Sequence, residues 1–168
     1  MKKVSKFHHS VTENGTLQLR IITEYQDDEG NFIDHKYSIP ETPLYPAVMI
    51  GWDKKSRDIV AAITDKITLT AFTAEKKEPT GIGPEEIITY DRTLNDFCRI
   101  KIRRITRIFD EGKEVSKKFH LSWINPGDDP EGNDVLSKAI AEKLHTPEVI
   151  SAFNIKMQED VDMESQNL

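Results

Sequence analysis

The chain has a single cysteine, Cys98, so no internal disulfide can form and stability must come from packing. That fits synthesis in a reducing cytoplasm. No apolar run approaches the roughly 20 residues that span a bilayer. The opening MKKVSKFHHSVTENG has no apolar segment after its lysines, so neither membrane insertion nor a secretory signal is expected. The five histidines, His8, His9, His35, His120 and His145, never show metal-ligand spacing, and the adjacent pair is weak evidence for zinc. There is no glycine-rich phosphate loop, nucleophile elbow or HExxH, and Gly81-Ile82-Gly83 is too short to count. Cys98 has no histidine near it in sequence and reads as a buried structural thiol rather than a nucleophile. The chain is therefore read as a non-enzyme, with no cofactor and no bound metal.

What is present suits a soluble globular protein of one domain or two very small ones: 168 residues, 37% hydrophobic and 31% charged. A net charge of −6 speaks against a protein whose main task is coating nucleic acid. The most ordered-looking stretch runs from Arg99 to Phe153. Ile100, Ile102, Thr106 and Ile108 alternate, the chain turns at Asp110-Glu111-Gly112, and Val115, Phe119, Leu121 and Trp123 alternate in return. This is a β-hairpin pattern, with Gly112 free to take the positive φ of the turn. Asn125 to Gly132 holds two prolines and two glycines and must be a loop. Asn133 or Asp134 can then cap a helix with a stripe of Leu136, Ala139, Ile140 and Leu144, and Pro147 opens a second short helix capped by Thr146.

The first half repeats the hairpin. Leu17, Leu19, Thr23 and Tyr25 fall on Ile100, Ile102, Thr106 and Ile108; past the turn, Gly30, Ile33, Lys36 and Tyr37 fall on Gly112, Val115, Lys118 and Phe119. An internal duplication is indicated. A helix repeat, Ala62 to Ile67 against Ala139 to Leu144, is weaker, because short amphipathic helices look alike. Ser56 to Lys66 fits a short helix capped by Asp53 or Ser56, although its β-branched content also allows a strand. Ile67 to Thr73 alternates and is threonine-rich, predicting a strand, and Ile87 to Tyr90 a short one. The expected organisation is a flexible arm (1–16), a first hairpin unit (17–73), a linker loop (74–86), a second hairpin-helix unit (87–157) and a flexible acidic tail (158–168). The fold class is α+β: two related antiparallel β-hairpin units with short covering helices. Whether the units share one sheet is left open.

Three constellations could carry function. The acidic loop Asp128, Asp129, Glu131, Asn133, Asp134 has the oxygen density of a calcium site, but it lacks EF-hand spacing, and a solvated loop ending in a helix cap is the stronger reading. Arg99, Lys101, Arg103 and Arg107 would share one strand face as a basic stripe able to attract phosphates. The competing reading pairs them with acidic neighbours and makes them guards of a sheet edge. Among the aromatics, Phe7, Tyr45, Trp52 and Trp123 are the candidates for protein contact, although core filling is the default role of such rings.

The order of strand, Asp-Glu-Gly turn, strand ending Phe119-His120, Pro126-Gly127-Asp128-Asp129, helix, then His145-Thr146-Pro147-Glu148-Val149-Ile150 resembles a group of short, mostly uncharacterised proteins of tailed bacteriophages and prophages. The resemblance covers about residues 99–153. Leu121 departs from the basic residue expected after the histidine. The resemblance implies phage origin and transfers no catalytic residue. The expected function is a non-enzymatic accessory component of the virion (capsid, connector or tail), made in the host bacterial cytoplasm. Its partners would be other virion proteins in a symmetric assembly, with homo-oligomerisation possible and no membrane role. The alternative is an intracellular phage regulator or inhibitor that binds a host protein or nucleic acid through residues 99–107.

Overall fold

The computed structural model describes residues 2–38 and 53–166. Ten elements follow one another: β1 (Lys2–Val11), β2 (Leu17–Gln26), β3 (Phe32–Ser38), α1 (Lys54–Thr64), α2 (Lys66–Glu75), β4 (Glu85–Leu94), β5 (Ile100–Asp110), β6 (Lys113–Ile124), α3 (Val135–Leu144) and α4 (Pro147–Gln166). All six strands join one antiparallel sheet in the order β3-β2-β1-β4-β5-β6. The fold is α+β, and the two hairpins expected from sequence share that sheet.

The chain is a duplicated βββαα unit. Its halves meet where β1 pairs β4 through His9↔Leu94, Ser10↔Thr93 and Val11↔Arg92, a register that a local two-fold between Ser10 and Thr93 exchanges. The turns after these strands match as well. Gly15 donates to the carbonyl of Thr12 as Cys98 donates to that of Asn95, and both turn residues have positive φ, 76° and 59°. After the hairpins, Asp53 caps α1 by accepting from the Ser56 N–H, and Asp134 caps α3 by accepting from the Ser137 N–H. Equivalent caps align Ile59, Val60 and Ile63 with Ile140, Ala141 and Leu144, all buried. The helix does repeat, one turn away from the alignment that sequence similarity favoured.

Both helices lie on one sheet face, and they pack against each other there. Val11, Leu17, Leu19, Leu94, Ile100, Ile102 and Ile124 from the sheet close on Ile59, Ile63, Leu136, Ile140 and Leu144. One core is therefore built from both halves, and the stretch 74–86 connects α2 to the first residues of β4.

Three sequence expectations are corrected. The supposed flexible arm, 1–16, contains β1, a ten-residue strand paired along its length with β2 and inserted at the middle of the sheet. Its signal was masked because the core-facing series Phe7, His9, Val11 contains a histidine. The supposed strand Ile67 to Thr73 is helix α2. Asp65 caps it by accepting from Ile67 and Thr68, and the Thr70 and Thr73 hydroxyls donate back to the carbonyls of Lys66 and Leu69 at 2.7 Å. The supposed tail, 158–168, is helical to Gln166 within the 20-residue α4, where i,i+4 contacts from Lys156 to Asp160 and from Gln158 to Asp162 support it. In addition, the short strand expected at 87–90 is the ten-residue β4. No helix among the described residues is long and apolar enough to cross a membrane.

Candidate docking surface

The β5–β6 register sets what the hairpin shows on the face away from α1 and α3. Lys101 is opposite Trp123, Arg103 opposite Leu121, Ile105 opposite Phe119 and Arg107 opposite Lys117. Because side chains alternate, burying Ile100, Ile102 and Ile124 in the core turns this second set to the opposite face, where Ile105 is itself buried and the β6 side chains stay exposed. Phe119, Leu121 and Trp123 are 57%, 52% and 44% exposed, and Val115 is exposed beyond them. The stripe runs along β6, which is an edge strand with one side of its backbone ladder unpaired within the sheet.

Cations flank the rings. The Arg99 guanidinium lies 4.3 Å from the centre of the Trp123 ring and the Lys101 ammonium 5.5 Å from it; Arg103 and Lys117 lie 5.4 and 5.6 Å from the Phe119 ring. Each such contact contributes about 0.5–1 kcal/mol at an exposed site. Arg99 is aimed by Asn125, whose side-chain oxygen accepts from its Nε at 2.6 Å, and Asn125 is in turn held by the Asp128 carboxylate. The loop after β6 thus orients the cation that covers Trp123.

The register puts Lys101, Arg103 and Arg107 on one face, and Arg99, just before β5, reaches the same face through its contact with Trp123; two of the four are already neutralised. Arg103 pairs with Asp91 on β4. Arg107 donates to Thr89 at 2.7 Å and pairs with Glu13 at 2.8 Å and Glu114 at 3.4 Å, and its side chain is only 14% exposed. Burial alone would raise the Glu13 carboxyl, but hydrogen bonds from Thr89 and Arg107 outweigh it and hold the group below the usual carboxylate range. Arg104 points to the opposite face, across from His120. Of the proposed contact aromatics, Trp123 belongs to the surface; Phe7 instead packs against the core, and Tyr45 and Trp52 lie outside the described residues.

Sequence reading missed a pair of polar nodes related by the duplication. Arg92, on β4, is fully buried; its Nε donates to Ser137 Oγ at 3.0 Å, its Nη1 to the Tyr90 and Thr12 carbonyls, and its Nη2 to Asp134. At the equivalent place in the first half, His9 Nε2 lies 2.8 Å from Ser56 Oγ and 3.7 Å from Asp53. Burial, with Lys55 nearby, lowers the His9 pKa to about 4, so the ring is neutral near pH 7 and this node carries no cation. The repeated spacing Asp53-x-x-Ser56 and Asp134-x-x-Ser137 was the available signal. A Ser, a His and an Asp converge here, but Ser56 is fully buried and its hydroxyl donates to Asp53, so the node ties strand to helix and offers no surface nucleophile.

The acidic loop resolves into local turns. Asp129 accepts from the Glu131 N–H at 3.0 Å, and Asp134 is the helix cap. Among the described residues no group of three or more His, Cys, Asp or Glu side chains is placed to hold a metal ion. Cys98 is buried, which raises its thiol pKa. No protein-family model, curated protein or solved structure matches the chain.

Proposed function

We propose that the chain works without catalysis, by docking another protein on the β5–β6 face, as an accessory component of a tailed-phage particle. The observation that carries the docking role is the exposed row Phe119-Leu121-Trp123 on an edge strand, ringed by Arg99, Lys101, Arg103 and Lys117. Tryptophan and arginine are the residues most often found at the energetic centre of interfaces, and a polar rim around an apolar centre is their usual setting. The phage setting rests on the resemblance of residues 99–153. Mass spectrometry of intact particles from the source phage, with copy number taken against the major capsid protein, tests it: a reproducible stoichiometry is expected. Particles carrying Trp123→Ala should lose the protein while the variant still accumulates folded in the cell. Normal incorporation of that variant would overturn the docking role, and presence in the lysate alone would overturn the virion assignment.

A second reading keeps the same face and changes the partner to single-stranded nucleic acid, favoured by cations set against exposed rings. Arg103 and Lys101 are the residues to change, since Arg104 is on the other face. Binding to an oligonucleotide at low salt that falls steeply with added salt would support it.

A further inference from the structure

We propose that the partner of the β5–β6 face is the stretch Ile155 to Asp162 of helix α4 from a second copy of this chain, in a head-to-tail contact. The inference rests on the docking role of that face and adds its occupant. Of α4, Val149 packs on the core, and farther along the helix Ile155 is 59% and Met157 43% exposed. That stretch carries Glu159 and Asp162, with Asp160 already paired to Lys156, whereas the sheet face carries Lys101 and Lys117 beside its rings, with Arg103 already paired to Asp91. An apolar side chain followed by acids on one element thus matches apolar side chains flanked by bases on the other.

The dimensions agree. Ile155, Glu159 and Asp162 recur at helical spacing and lie on one side of α4, spanning about 10 Å along the axis. Phe119, Leu121 and Trp123 span about 13 Å along the strand. With Ile155 seated on Leu121 and Trp123, the two acids come into reach of the Lys101 and Lys117 rows. A symmetric contact of the sheet face with itself would instead set Lys101 and Lys117 against their own copies, which opposes closure. A contact between two different patches is heterologous, so it propagates from copy to copy and closes as a ring or extends as a filament.

Charge reversal decides the matter in the full-length protein. One variant carries Lys101→Glu and Lys117→Glu; the other carries Glu159→Lys and Asp162→Lys. All four positions are outside the core, and circular dichroism checks that each variant folds. Sedimentation velocity of the unaltered protein at low salt should show self-association that weakens with added salt. Each variant alone should associate about tenfold or more weakly, and an equimolar mixture should recover association, because each copy then faces a complementary patch. A chain that stays monomeric at low salt and high concentration, or association that neither reversal weakens, would overturn the proposal. So would a mixture no better than its parts. The docking role is judged separately by incorporation of Trp123→Ala into particles, so a monomeric chain that needs Trp123 for incorporation removes this occupant and leaves the surface.

Discussion

The two polar nodes are equivalent in position and unequal in charge, and that difference sets the cost of breaking them. Changing Asp53 to Ala removes a helix cap and leaves a neutral histidine, so the expected loss is about 1 kcal/mol. Changing Asp134 to Ala removes the corresponding cap and also strands the Arg92 guanidinium, whose side chain is 1% exposed beside an Asp134 that is 3% exposed. Removing one partner of a buried ion pair costs about 3–5 kcal/mol, which with the cap gives about 4–6 kcal/mol. That is a large part of the about 5–15 kcal/mol that holds a typical domain folded. Asp134→Asn keeps an oxygen for the Ser137 N–H and isolates the charge component. In the double variant Arg92→Met with Asp134→Ser no buried charge is left, so it should be less destabilised than Asp134→Ala alone. Urea unfolding followed by tryptophan fluorescence and circular dichroism measures all four, provided the slope m is unchanged. Asp53→Ala and Asp134→Ala within about 1 kcal/mol of each other would refute the argument, since the spread is far larger if the buried guanidinium depends on its carboxylate.

Two further outcomes follow from the same geometry. His9 is less basic in the folded chain, about 4, than in the unfolded one, about 6.5, so the unfolded state binds the extra proton between these values. Stability is full above pH 6.5 and falls as the pH drops toward 4, by on the order of 3 kcal/mol; His9→Gln should flatten that part of a urea midpoint-against-pH curve, and an unchanged slope would sink the assignment. At Gly15 an added Cβ would meet the Phe72 ring at 2.9 Å as well as the positive φ, whereas at Gly30 nothing lies within 4 Å. Gly30→Ala should therefore cost only the conformational penalty of about 1–2 kcal/mol, and Gly15→Ala clearly more; thermal melts of the two side by side check the order.

Local chemistry was enough to read the stretch 99–153. Ile100 to Ile108 and Val115 to Trp123 alternate, with breaks at Arg104-Ile105 and at Lys117, around an Asp-Glu-Gly turn, and Asp134 and Thr146-Pro147 are cap and helix-start signals that need no tertiary partner, so the hairpin and both helix starts were legible. The hairpin repeat was legible for the same reason. What the sequence could not settle depended on contacts between distant segments. β1 carries a histidine where an apolar residue would have marked a strand, and only Ser56, 47 residues away, makes that histidine a core residue. The threonines of α2 favour a strand by propensity, but the Asp65 cap and hydroxyl bonds to the preceding turn hold them in a helix. The basic stripe was visible as residue types on one strand. That Arg107 is neutralised by Glu13 and that Arg99 covers Trp123 was decided by pairing across the sheet, because alternation assigns a side chain to a face and only the neighbouring strands determine what waits there.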